Sequence, residues 1–256
     1  MTTKNCLNCE KELIDKYCYG CGQKADTHRI TFKNFIFHDV LHGTFHFEKG
    51  MLFTAKEALI RPGKSALDYI SGKRIRYYNV FYLTLITFGL LLFIRHFLQE
   101  VDLNEVNEVI PQKPSLNEAS EKMEEIFSQK SKIIIFLFVP FAAINSLLLF
   151  KRKKLNLSEH AVLAGMILLG MLLIALFGNL FFYLDVLFPF GDTFSAVMSW
   201  VVMILITGHI GYGYFNAFGN DYTKFGIAYR IVFFYALICL EILVLFLLVW
   251  GMLTHW

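Results

Sequence analysis

A chain of 256 residues with 56% hydrophobic and only 18% charged residues, and a mean hydropathy of +0.50, is too apolar for a soluble domain of that size. The formal net charge of +3 is small. Its basic residues cluster beside apolar segments, where anionic lipid or membrane orientation accounts for them and nucleic-acid binding does not.

The first element, residues 1–27, contains "NCLNCEKELIDKYCYGCGQ", in which Cys6, Cys9, Cys18 and Cys21 form two CxxC pairs. Each short turn lets two sulfurs face one ion, and four thiolates suit structural Zn2+ in a small zinc ribbon. A site with four protein ligands leaves no position for a catalytic water. A metal-free reduced tail is the plainer alternative. A redox dithiol fits less well, because no thioredoxin-like βαβ pattern surrounds either pair. The fifth cysteine, Cys239, lies in an apolar run, so the usage fits a reducing compartment rather than a disulfide framework. "MTTKNCLNCEKELIDK" lacks the apolar core of an export signal, which places the N-terminus in the cytosol.

Residues 28–78 read as cytosolic interfacial helices. "TFKNFIFHDVL" sets Phe32, Phe35, Ile36 and Val40 at helical spacing, and "MLFTAKEALI" does the same with Leu52, Ala55 and Leu59. These faces suit helices lying along the membrane surface or packed under a bundle. Pro62 and Gly63 end the second helix, and Ser65 with Asp68 makes a capping pattern for another short turn. His38, His42 and His46 recur every four residues, a metal-like spacing interrupted by Gly43, so interfacial or polar-packed histidines explain them better. "RPGKS" imitates the end of a phosphate-binding loop but lacks both its first glycine and its preceding strand. Lys64, Lys73, Arg74 and Arg76 are instead candidates for anionic-lipid contacts.

Residues 79–256 form a five-span transmembrane domain. The spans are expected at Asn79–Leu98, Lys132–Phe150, Ala161–Leu184, Phe194–Phe215 and Gly226–Leu253, since about 20 apolar residues cross a bilayer. The fold class is thus all-α: a polytopic membrane protein with a five-helix bundle behind a zinc ribbon and interfacial helices. Lys151, Arg152, Lys153 and Lys154 and the basic stretch before the first span mark the cytosolic side. The acidic loop at 99–131 marks the other side, with a short helix at "NEASEKMEEIFSQK". That pattern leaves the C-terminus extracytoplasmic, in what a bacterial chain would use as its cytoplasmic (inner) membrane.

Asn145, Asn179, His209 and Glu241 lie within the spans and form a possible intramembrane polar site. Counting helical rise from the cytosolic ends puts Asn145 level with His209 and leaves Glu241 deeper, near the middle of the membrane. Gly208, Gly211 and Gly213 permit close helix approach.

"CLNCEKELIDKYCYGCGQ" followed by "LIRPGKSALDYISGKRIRYYNVFYL" resembles the bacterial membrane family called domain of unknown function 3667. The resemblance rests on Cys6, Cys9, Cys18, Cys21, Gly22, Gln23, Pro62, Gly63, Tyr69, Gly72, Lys73, Arg74 and Tyr77. It departs at Asn79 and Val80, where the family often carries proline. It implies a zinc ribbon, a helical segment ending in a PG turn and then membrane spans, and it implies no activity.

Function on these grounds is most simply a non-enzymatic adaptor or assembly factor, with the ribbon as a docking surface for a cytosolic or membrane protein partner. The alternative is a small transporter, channel or lipid-handling protein using the intramembrane polar residues. An enzyme is not expected, since no nucleophile, base and orienting group assemble from these motifs. Small residues spaced along the spans permit a homo-oligomer.

Overall fold

The computed structural model describes residues 5–25, 27, 30, 50–105, 135, 137–187 and 191–253. The His38, His42 and His46 series, the first interfacial helix and the loop helix near Met123 lie outside the described residues.

Among the described residues there are seven helices and no strand longer than an isolated bridge. They are α1 (Gly50–Ile60), α2 (Pro62–Ile70), α3 (Val80–Glu105), α4 (Leu137–Leu149), α5 (Leu157–Leu187), α6 (Asp192–Phe218) and α7 (Lys224–Leu253). Three contain stretches long and apolar enough to cross a membrane: Leu157–Phe181, Thr193–Phe218 and Lys224–Leu248. Two shorter apolar stretches, Val80–Ile94 and Leu137–Leu149, fall where the first two spans were expected. The helix that opens at Val80 continues to Glu105, so the acidic stretch expected to begin as loop at residue 99 is helical at its start.

Helix α5 is the axis of the molecule. Val162, Leu163, Ala164, Met166, Ile167 and Leu169 are at most 2% exposed, and α1, α2, α3 and α6 all pack against this helix. A reciprocal cap starts it: Asn156 Oδ1 accepts from the Glu159 amide at 2.9 Å and Glu159 Oε2 accepts from the Asn156 amide at 2.8 Å. This satisfies amides that have no partner inside the helix. Helices α6 and α7 instead expose large apolar side chains such as Trp200, Ile204, Val232 and Phe233, as a lipid-facing surface does.

The region before Val80 departs from expectation in two ways. Pro62 does not end a helix; it opens α2 at the first position, where a missing N–H costs nothing and the fixed φ already suits the helix. The buried face of α1 is Met51, Thr54, Glu57 and Ala58, whereas Leu52, placed on that face by periodicity, is 84% exposed. A tertiary hydrogen bond holds this face inward: Thr54 Oγ1, which donates within the helix to the Gly50 carbonyl, accepts from the Tyr78 amide, both at 2.8 Å. Glu57 meanwhile turns inward to meet Arg61 and to accept from Ser65 Oγ at 2.8 Å.

The two short helices form a hairpin wedged into the bundle rather than lying beneath it. A Cβ on Gly63 would lie 2.2 Å from the Gly213 carbonyl oxygen and 2.4 Å from the Ala217 amide nitrogen, so only glycine lets α2 touch the backbone of α6. Tyr212 Oη donates to the Ile60 carbonyl at 2.9 Å, and the Lys64 amide donates to Asn216 Oδ1 at 2.8 Å. One hydrophobic cluster runs from Met51, Ala58, Ala66 and Tyr77 through to Leu163, Tyr214 and Phe234. The core therefore continues across residue 78.

Candidate metal centre and polar sites

The two CxxC segments fold into near-copies of one turn, offset by twelve residues. Asn5 bridges Glu12 as Tyr17 bridges Lys24. The Cys6 amide donates to the Lys11 carbonyl and the Cys18 amide to the Gln23 carbonyl, each at 2.8 Å. The amides of Glu10 and Gly22 return to the carbonyls of Cys6 and Cys18. Glu10 and Gly22, each following the second cysteine of its pair, have φ of 62° and 77°. Gly22 takes that left-handed conformation without cost, whereas Glu10 holds it under strain.

Facing each other, the copies bring four sulfurs within 4.8 Å of one another. Cys6 Sγ lies 3.6 Å from Cys21 Sγ, and Cys9 Sγ lies 3.4 Å from Cys18 Sγ. All four are free thiols. A tetrahedral ion bound at about 2.3 Å would separate its sulfurs by about 3.8 Å, so the residues fit a metal ion with little movement. The four thiols hold their protons unevenly. At Cys9 the Lys11 backbone amide favours the thiolate, but burial and thiol hydrogen bonds from Cys18, Cys21 and Cys6 override it and push the group up to about 12. At Cys18 burial opposes ionisation, yet the Gly20 amide and the Cys9 thiol outweigh it and bring the group down to about 7. A bound cation would draw all four into the thiolate form.

The knuckle is docked. Gln23, 4% exposed, donates from Nε2 to the Gly72 carbonyl at 2.8 Å, and its Oε1 accepts from the Arg74 and Ile75 amides at 3.2 and 3.4 Å. Of the candidate lipid-binding cations, Lys64 is exposed at the start of α2. Lys73 pairs with Asp68 at 3.2 Å. Arg74 lies over the Tyr69 ring, 5.3 Å from its centroid, and Arg76 is exposed.

The four polar residues expected within the spans, Asn145, Asn179, His209 and Glu241, do not converge on one site. Asn145 Nδ2 donates to Glu241 Oε2 at 3.0 Å, so the partner of Asn145 is Glu241 and not His209. Counting residues along each helix does not find this pair, because which helices are neighbours and how they tilt past each other is set by tertiary packing. His209 on α6 instead faces α5 and α1, where a Cβ on Gly170 would lie 2.1 Å from its Nε2 and 2.6 Å from the Ala58 carbonyl oxygen. Asn179 Nδ2 donates to Ala175 of its own helix at 2.7 Å and lines a cavity of about 350 Å³ with Leu91, Phe138, Leu172 and Ile206.

Two clusters of side chains, one buried and one near the surface, escaped the sequence patterns. Ser146 Oγ and His160 Nδ1 lie 2.7 Å apart across α4 and α5, and His160 is 1% exposed. Arg230 lies over both Tyr222 and Tyr229, 4.2 and 4.6 Å from their centroids, and Arg152 shares Tyr222 at 4.6 Å. Lys153 pairs with Asp221 at 3.0 Å. The basic run at 151–154 is thus tied to the turn between α6 and α7. Its proximity to the apolar spans was legible, but its partners were not.

Neither a curated protein nor a solved structure matches the chain. Residues 48–91 match the family described as protein of unknown function (DUF3667). The matched segment comprises the wedged hairpin, the Gly72–Arg74 loop and the first part of α3, with the cysteines outside it. The resemblance to that family is accordingly carried by the segment onto which the four-cysteine knuckle docks.

Proposed function

We propose that this chain is a five-span membrane protein with its knuckle in the cytosol, a non-enzymatic adaptor or assembly factor whose zinc-bound ribbon presents a docking surface for a protein partner. The observation that carries this reading is the four-sulfur cluster pinned to the loop that leads into the first apolar helix. Thiolates are the preferred donors for zinc, and four of them close the coordination sphere, so the ion would supply structure and not a reactive water. On the ribbon, Ile14, Tyr17 and Tyr19 are 82, 61 and 69% exposed; these are residue types suited to a protein contact. The basic residues at 151–154 and before α3 support the cytosolic placement of this end, and Lys73, Arg74 and Arg76 would meet anionic headgroups there.

The test is to isolate wild type, Cys18→Ser/Cys21→Ser and Ile14→Ser/Tyr17→Ser/Tyr19→Ser from native membranes in mild detergent, and to measure zinc together with co-purifying proteins. A specific partner lost from both variants, with zinc retained in the second, is the expected result. An association unchanged in both sinks the adaptor role.

A second function, passage of a small solute or proton through the bundle, has one observation in its favour: the Asn145–Glu241 pair links α4 to α7 between apolar surfaces. Glu241→Gln should then alter flux in reconstituted vesicles at unchanged protein level, and identical flux would remove this alternative.

A further inference from the structure

We infer that the metal knuckle is a latch on the Gly72–Arg76 loop, so that metal occupancy sets the conformation of the three cations at the head of α3. This rests on metal binding by the four cysteines but not on the adaptor role.

Both copies of the repeated turn hold the loop, and they hold it from different sides. From the first copy, Leu7 sits between the ligands Cys6 and Cys9 and covers Gly72: a Cβ there would lie 2.6 Å from Leu7 Cδ1. From the second, Gln23 stands two residues after the ligand Cys21 and spends both ends of its buried amide on the loop backbone. Gly72 has φ of 105°, a conformation that a residue with a side chain rarely adopts, and its carbonyl accepts both from Gln23 Nε2 and, at 2.9 Å, from the Arg74 amide. The loop thus depends on the separation of Leu7 from Gln23.

That separation is a property of the sulfur cluster. Cys6 faces Cys21 and Cys9 faces Cys18, so each close sulfur pair joins one copy of the turn to the other. Thiol hydrogen bonds are weak, whereas four metal–thiolate bonds would lock the copies in register. With the register set, Leu7 and Gln23 pinch Gly72, and the loop keeps Lys73 at Asp68 and Arg74 against Tyr69. With the metal gone the two copies part, the pinch opens and the loop amides meet water.

The experiment is hydrogen–deuterium exchange on the full chain in lipid nanodiscs, for wild type and Gln23→Ala, each with bound metal quantified and each before and after chelation. Chelated wild type should exchange about tenfold faster at the Ile75 amide, consistent with the loss of its hydrogen bond to Gln23, whereas the Arg74 amide also donates to the Gly72 carbonyl. Metal-loaded Gln23→Ala should reach the same rate while keeping its metal, and chelation should then add little. The amides of α5 serve as the control for folding and should not change. Two results overturn the latch: metal that leaves wild type without loosening Ile75, or metal-loaded Gln23→Ala with Ile75 still protected. A wild type carrying no metal overturns both the latch and zinc binding. A latch that fails with zinc present leaves the adaptor role standing.

Discussion

The knuckle and the bundle both gather polar side chains, and they do so by opposite routes. In the knuckle four cysteines within sixteen residues of chain meet because each CxxC turn aims its own sulfurs inward. In the bundle Asn145 and Glu241, 96 residues apart in sequence, meet because two helices happen to cross there. Chemistry that is local in sequence is legible from spacing; chemistry that depends on helix neighbours is not.

The sharpest way to break this contrast is to remove two ligands. Cys18→Ser/Cys21→Ser should lose all bound metal, and with it a binding energy on the order of 10 kcal/mol that organises the knuckle. The helical signal and thermal unfolding of the bundle should stay close to wild type. A bundle that melts with the knuckle would show that the two regions fold as one unit.

Next in size are glycine substitutions within the bundle. Gly63→Val should cost about 3 kcal/mol or more, since its Cβ would strike the backbone of α6 at Gly213 and Ala217. Gly208→Ala, where nothing lies within 4 Å, should be neutral or stabilise by up to about 1 kcal/mol. Thermal unfolding in detergent compares them, and equal effects would mean that hairpin and α6 do not touch as described.

Smaller again is the Asn145–Glu241 pair. Asn145→Leu should destabilise by about 1 kcal/mol because it strips Glu241 of its partner. Adding Glu241→Leu should restore most of that loss in a double-mutant cycle. Additive losses would mean that the pair does not interact.

The smallest effect concerns pH. Burial raises the Tyr77 hydroxyl above its ordinary value, because ionisation would place a charge among Phe53 and Tyr69. A raised acid contributes stability that is complete below its unfolded value near 10 and is lost as pH rises through the folded value. Tyr77→Phe should therefore flatten the stability curve above pH 10 and leave it unchanged at pH 7. A slope identical to wild type would place Tyr77 in water.

Much of the fold was written in apolar run length. The spans expected at Ala161–Leu184, Phe194–Phe215 and Gly226–Leu253 correspond to helices Leu157–Leu187, Asp192–Phe218 and Lys224–Leu253, because in hydrocarbon only a helix satisfies its own backbone. The hairpin was harder. Helical periodicity set Leu52, Ala55 and Leu59 on one apolar face, but the buried face includes Glu57, 7% exposed, because Arg61 and Ser65 meet it there. A periodic pattern ranks apolar against polar and cannot register that a polar group has found its partner.

The sequence by itself determined the helical membrane character and the sulfur cluster, since run length and ligand spacing act within a few turns of chain. Only the tertiary structure decided that α1 and α2 wedge between α5 and α6, that Asn145 meets Glu241, and that Gln23 clasps the loop at Gly72. Each of these depends on which helix faces which, at what height, and on where two backbones come close enough that only a glycine fits.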